Sequence, residues 1–124
     1  MEEEILLGRV NRAVEKSLGL SLTSDVRIYG KQEHLDNLAK AHPGSYLGIL
    51  DEVSGVILKW PDYVCYDEKE NIFYFMETYW KNGALVGVEV KVTQEGKPKR
   101  WVFHSLRTIK MPWDRDYTKI RKRL

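Results

Sequence analysis

Apolar residues in the first half of the chain recur every three or four positions, which is the spacing of a helix with one buried face. The first such stripe predicts a helix over residues 3–18, which Gly19 ends. A later stripe predicts a helix over residues 46–59, which Pro61 stops. The alternative for the end of that stretch is a strand at residues 56–60.

Between these two stripes the pattern indicates a short strand followed by a second helix. Residues 26–29 alternate as a strand does, and Gly30 interrupts the alternation. The helix is expected over residues 32–41, because the residue before Pro43 disfavours the helical conformation. His42 is therefore placed at the end of the second helix.

After Pro61 the chain changes to the branched and aromatic residues that are typical of strands. Polar turns separate the segments, and the Asn82-Gly83 pair favours a tight hairpin. The four predicted strands cover residues 63–66, 72–80, 84–92 and 100–106. We expect an α+β fold in which three N-terminal helices pack on one face of an antiparallel meander of about four strands.

The size and composition of the chain fit one globular domain, with 124 residues, 43% of them apolar and 31% charged. We divide it into an N-terminal helix (1–20), a core (26–106) and a basic tail (107–124). No apolar stretch reaches the roughly 20 residues of a membrane helix, and the acidic start is unlike a secretory leader. The single cysteine, Cys65, cannot form an internal disulfide. We therefore expect a cytoplasmic location and no membrane partner.

The net charge of +2 conceals a strong asymmetry along the sequence. Residues 1–90 contain nine Lys or Arg against fifteen Asp or Glu, whereas residues 91–124 contain eleven against three. Aromatic residues are interleaved with these late basic residues, as they are in many surfaces that bind nucleic acid. The alternative is an ordinary solvated basic tail.

The third predicted strand alternates valines with charged residues. The valines point to the core, so Glu89 and Lys91 are expected on the opposite face. With Val92 placed opposite Arg100, the next strand adds to that face Trp101, Phe103 and Ser105. A slip of one residue would place His104 there instead of Ser105, so both remain candidates. A face that combines charge, a hydroxyl and exposed rings is typical of a binding surface.

Short motifs follow one another in a defined order between residues 31 and 105. They are Lys31, His34, Lys40-x-His42-Pro43, Tyr46-Leu47, Ile49-Leu50, Pro61-Asp62-Tyr63-Val64, Val88-x-Val90-Lys91-Val92 and Phe103-His104-Ser105. This order resembles the phage-associated branches of the barnase, EndoU, colicin and RelE-like nuclease superfamily. The positions that match its site are His42, Lys91 and Ser105. The distance between His34 and His42, and the extra N-terminal helix, depart from the pattern.

The resemblance implies a small endoribonuclease of the toxin or phage-effector type that needs no metal and no cofactor. Such an enzyme needs a base for the 2′-hydroxyl, an acid for the leaving 5′-oxygen, and cations for the phosphorane. The candidate catalytic residues are His42 as acid or base, Glu89 as an alternative base, Lys91 as the cation and Ser105 as a positioning donor. The residues expected to contact RNA are Lys31, His34, Arg100, Trp101, Phe103 and Arg107. An acidic inhibitor protein is a further candidate partner.

Each of these candidates also has a plain structural explanation. The His42-Pro43 pair is also a simple helix stop, Glu89 and Lys91 suit a solvated sheet face, and aromatic rings in strands are more often part of a core. Two other functions therefore stay open. One is an RNA- or DNA-binding module without chemistry, and the other is an accessory factor that binds a protein.

Overall fold

Seven strands form one curled, mixed sheet in the computed structural model, which describes residues 4–20 and 26–120. The strands are β1 (Glu4–Arg9), β2 (Arg27–Lys31), β3 (Tyr63–Asp67), β4 (Ile72–Lys81), β5 (Ala84–Glu95), β6 (Arg100–Lys110) and β7 (Thr118–Lys119). The helices are α1 (Arg12–Leu18), α2 (Gln32–Ala41) and α3 (Tyr46–Glu52), and a π-helical turn at Val53–Ile57 extends α3.

The order of strands across the sheet is β1-β2-β6-β5-β4-β3-β7. Strands β2 and β6 are parallel, and every other neighbouring pair is antiparallel. The prediction of three helices on a four-stranded meander is therefore wrong. The meander β3–β6 is the middle of a larger sheet, and the helices are short.

The N-terminal part of the chain departs most from the predicted helix. Residues 4–9 form β1, and helix α1 begins only after Asn11, whose side-chain oxygen accepts a hydrogen bond from the Val14 amide at 2.9 Å. That N-terminal cap fixes where the helix starts. Gly19 ends it with a φ of 68°, as predicted. The stripe of apolar residues was therefore divided between a strand and a helix.

The second helix has the predicted bounds, with His42 as its C-terminal cap. Gly30, however, lies inside β2 and does not interrupt it. A Cβ atom at this position would lie 3.1 Å from the side chain of Leu7 and 3.3 Å from that of Leu35. Glycine thus lets a strand and a helix approach β2 closely.

The C-terminal residues form ordered structure where a basic tail was expected. Strand β6 continues to Lys110, and residues 118–119 pair with β3 as β7. The ends of the predicted N-terminal helix region and of the tail, residues 1–3 and 121–124, lie outside the described residues.

One hydrophobic core joins the sheet to α1, α2 and the π-helical turn. Its fully buried members include Val14, Ile28, Val53, Ile57, Val64, Phe75, Val90, Val92 and Phe103. None of the helices in residues 4–20 and 26–120 is long and apolar enough to cross a membrane.

A β-bulge between β5 and β6 overturns the predicted register. Lys91 pairs with Ser105 and Val92 pairs with Phe103, so His104 is the extra residue, and Arg100 pairs with Glu95. A bulge moves every residue before it to the other face. Ser105 consequently shares a face with Lys91, whereas Phe103 joins the valine face.

We expect Phe103→Ala to lower the free energy of unfolding by about 3–5 kcal/mol, because it would leave a cavity in the core. Urea denaturation followed by circular dichroism measures this change. Leu47→Ala is the control, since Leu47 is 73% exposed on α3, and its effect should stay within about 0.5 kcal/mol. Equal and small effects of both substitutions would instead place Phe103 on an exposed face.

Candidate active site

Side chains from three neighbouring strands and from the C-terminal segment enclose a polar pocket of about 210 Å³. Tyr74, Lys91 and Ser105 are register neighbours across β4, β5 and β6, so their side chains share one face of the sheet. The next row on that face holds Glu89 and Arg107. The pocket is lined by Tyr74, Glu89, Lys91, Ser105, Arg107 and Arg115.

Glu89 is a buried carboxylate at the floor of this pocket, with 2% of its surface exposed. Its oxygens accept hydrogen bonds from the Arg107 Nε at 2.6 Å, from the Arg115 Nε at 3.3 Å and from the Tyr117 hydroxyl. A buried charge needs such compensation, and here three donors supply it. Because both oxygens are occupied, Glu89 is an anchor for the two arginines, and the alternative of an ordinary solvated sheet face does not apply to it.

Arg107 is held from two sides. Besides its bond to Glu89, its terminal nitrogen lies 2.9 Å from both oxygens of Asp114. The hydrogen bond to Glu89 raises the pKa of the Arg107 guanidinium, and the hydrogen bond from Arg107 lowers the pKa of the exposed Asp114 carboxyl. Arg107 was expected to contact RNA, and its guanidinium does reach the pocket.

Arg115 enters the pocket from the segment that follows β6. Its guanidinium carbon lies 3.7 Å from the centroid of the Tyr74 ring, a cation–π contact. Trp113 packs edge-on against Tyr63 with ring centroids 4.8 Å apart, and β7 then pairs with β3. These contacts hold the segment across the sheet. No local sequence signal places Arg115, Tyr117 and Tyr74 together, because they meet only through this packing.

His104 stands at the bulge, beside the pocket. Its Nδ1 lies 2.8 Å from the Ser105 Oγ. Partial burial lowers the pKa of His104, and the positive charge of Lys91 and the neighbouring His34 lower it further. The surroundings of His104 therefore favour its uncharged form. His104 and Ser105 were alternatives for one position, and the bulge keeps both of them next to Lys91.

His34 is a buried residue of α2 whose ring lies 5.2 Å from that of His104. Its Nδ1 donates to the Phe103 carbonyl oxygen at 2.8 Å, and its Nε2 lies 3.7 Å from Glu95. Glu95 also pairs with the Lys31 ammonium at 3.0 Å. The predicted RNA contacts Lys31 and His34 thus both contact the Glu95 carboxylate. The ring of His34 also packs against that of His104.

His42 is not among the described residues that line the pocket. It caps α2 eight residues after His34, which corresponds to about 12 Å along a helix axis. The sequence-predicted set is therefore divided. Glu89, Lys91, Ser105 and Arg107 lie together, and His42 belongs to the other end of α2.

The prediction that Trp101 and Phe103 lie exposed on the face of Lys91 is wrong. Phe103 is fully buried in the core. Trp101 is half-buried against Phe73, with ring centroids 4.4 Å apart. Arg100 forms a bidentate ion pair with Glu4 at 2.6 and 2.7 Å. The bulge at His104 is the cause, since it turns the rings toward the core.

Among the described residues, the lining of the pocket includes three cations, Lys91, Arg107 and Arg115, and one carboxylate, Glu89. The Asp114 carboxylate contacts Arg107 as well. Two guanidinium groups with fixed orientation and one ammonium group suit the oxygens of a phosphate. In the part of the chain that the structure describes, no three His, Cys, Asp or Glu side chains are grouped as metal ligands.

Comparison with protein-family models, with curated proteins and with solved structures finds no match for this chain.

We expect the His104 side chain to titrate below the ordinary histidine pKa in an NMR pH series. Lys91→Met should raise its midpoint partway, because it removes one of the charges that disfavour the imidazolium while leaving the burial. Lys69→Met, in the turn between β3 and β4, is the matched control and should leave the midpoint unchanged. The same midpoint in both variants would mean that Lys91 does not act on His104.

Proposed function

We propose that this protein is an endoribonuclease that cleaves RNA without a metal, by attack of a 2′-hydroxyl on the adjacent phosphodiester. The observation that carries the proposal is the juxtaposition of a pocket lined by three cations with the imidazole of His104, which is hydrogen-bonded to Ser105 of that lining. The cations of the pocket stabilise the negative charge of the phosphorane, and the imidazole acts as the general base.

The phosphate binds in the pocket. Lys91, Arg107 and Arg115 donate charge-assisted hydrogen bonds to its nonbridging oxygens, and the Ser105 hydroxyl orients it. A volume of about 210 Å³ is below the range of typical small-molecule sites, so the pocket takes the phosphate and leaves the base outside.

His104 takes the proton of the 2′-hydroxyl. It replaces His42 and Glu89 in this role. His104 is hydrogen-bonded to Ser105 of the pocket, whereas His42 caps the far end of α2, and the oxygens of Glu89 are occupied. The Lys91 ammonium donates a proton to the leaving 5′-oxygen. The products are a 2′,3′-cyclic phosphate and a free 5′-hydroxyl. Glu89 and His34 are positioning residues, the first for the arginines and the second for His104.

The cellular compartment of the proposed activity follows from its substrate. RNA and a free thiol at Cys65 both suit the cytoplasm, and an activity of this kind fits a toxin or phage effector. We therefore expect expression of the active protein to arrest growth of a host cell.

The first experiment measures cleavage of a fluorescent RNA oligonucleotide in EDTA. His104→Ala is expected to reduce kcat about 10²–10⁴-fold, as removal of a general base does. Arg115→Ala and Lys91→Ala are expected to reduce it about 10²-fold or more. Lys69→Ala is the control and should retain full activity. An RNA with a single 2′-deoxynucleotide at the cleavage position should be resistant.

Three results would contradict the proposal. They are intact RNA at high protein concentration, cleavage of the 2′-deoxy substrate, and full activity of the folded His104→Ala protein. Loss of activity in His42→Ala alone would instead favour the helix-end histidine. Binding of RNA with a steep salt dependence but no cleavage would identify a nucleic-acid-binding module without chemistry.

The pH dependence of kcat/KM gives a further expectation. A general base acts only when it is unprotonated, so the rate should fall as the pH drops through the pKa of His104. Because that pKa is lowered, the acid limb should lie below the ordinary histidine midpoint. An acid limb above that midpoint would indicate another base.

A further inference from the structure

A second cavity, of about 520 Å³, runs along β1 at the end of the sheet opposite to β7. Its lining consists of residues 6–12, Ser54 and Lys59. We call it the β1 groove. Strand β1 lies two strands away from β6, so the β1 groove is separate from the polar pocket. The proposed ribonuclease activity therefore makes no use of it.

The walls of the β1 groove are fixed to each other by hydrogen bonds. The Ser54 hydroxyl donates to the Leu7 carbonyl oxygen at 2.6 Å, and the Asn11 side-chain amide donates to the Lys59 carbonyl oxygen at 2.7 Å. Both bonds join the N-terminal segment to the region after α3. A groove held in this way is formed before a ligand arrives, which lowers the entropy lost on binding.

Strand β1 also presents apolar side chains at a sheet edge. Ile5 is 44% exposed and Leu6 is 48% exposed. Among the described residues, β2 is the only strand that pairs with β1. The Leu7 carbonyl of β1 is already taken by Ser54, so the rest of this exposed apolar strand is the surface to which another extended chain can add by main-chain hydrogen bonds.

The charge of the β1 groove indicates which kind of partner segment would bind there. Arg12 and Lys59 are exposed at the groove, and its described lining includes no acidic residue. RNA would need aromatic surfaces for its bases, and the lining offers aliphatic ones. We propose that the β1 groove binds an extended acidic segment of a partner protein. Its apolar side chains enter the groove, and its carboxylates face Arg12 and Lys59.

The probe for this proposal is a fluorescein-labelled peptide of eight residues that alternates valine and glutamate, flanked by glycine and serine. Fluorescence anisotropy measures its binding to the full chain at low salt. Arg12→Glu and Lys59→Glu should each weaken binding about fivefold or more, because each reverses a charge that faces a carboxylate. Lys69→Glu, a charge reversal at an exposed lysine outside the groove, should leave binding unchanged.

Two further peptides separate strand addition from charge attraction. One replaces each glutamate with lysine, and the other replaces alternate valines with proline, which cannot donate to a strand ladder. Both should fail to bind. In the complex, backbone NMR signals of residues 5–9 and of Ser54 should shift, and those of Lys91 and Ser105 should not.

The proposal is overturned if the first peptide does not bind up to about 1 mM, roughly the weakest affinity of interest. It is also overturned if the proline peptide binds equally well, if Lys59→Glu behaves like Lys69→Glu, or if an RNA oligonucleotide displaces the peptide. The measurement is repeated with His104→Ala, so its outcome does not depend on whether the protein cleaves RNA.

Discussion

The buried carboxylate of Glu89 is the interaction on which the candidate site depends. It brings Arg107 from β6 and Arg115 and Tyr117 from the C-terminal segment to one point on the sheet. Without these donors the charge would be uncompensated in a dry environment, and without the charge the two guanidinium groups would repel each other. The same carboxylate therefore attaches the last part of the chain to the sheet and gives the cations of the pocket their positions.

The bulge at His104 is the second determinant, since it assigns residues to faces. Before the bulge, Phe103 lies in the core, and after it, Ser105 lies beside Lys91. The extra residue is itself the imidazole next to the pocket. In a regular strand Phe103 and Ser105 would lie on the same face. The extra residue of the bulge places Phe103 in the core and Ser105 in the polar site.

The sequence predicts the elements whose signals are local. Helix α2 has a clear apolar period and a proline after its end, and the Asn82-Gly83 hairpin has the positive φ values that this pair favours. The N-terminal stripe fits a helix throughout, and tertiary pairing with β2 makes its first part a strand. The predicted α+β architecture failed there, because the partner of β1 is not visible in the apolar period.

The candidate site was predictable only in part for the same reason. Alternation along β5 correctly places Glu89 and Lys91 on one face, and Ser105 joins them in the structure. The bulge leaves no mark in the hydrophobic pattern of β6, so the rings at 101 and 103 were assigned to the wrong face. Arg115 joins the pocket through contacts made 26 residues from Glu89, which no local pattern encodes.

The parallel pairing of β2 with β6 gives the sheet a seam. In the part of the chain that the structure describes, three residue pairs join β2 to β6, from Ile28–Trp101 to Gly30–Phe103. The His34 contact that reinforces this pairing joins residues 69 positions apart. Closing a loop of that length costs about 4 kcal/mol of chain entropy before any contact offsets it. The antiparallel meander forms between strands that follow one another in the chain. The β2–β6 pairing instead requires two segments that are distant in the chain to meet. We therefore expect the histidine pair that borders the pocket to assemble late in folding, after β5 and β6, which carry Lys91 and Arg107.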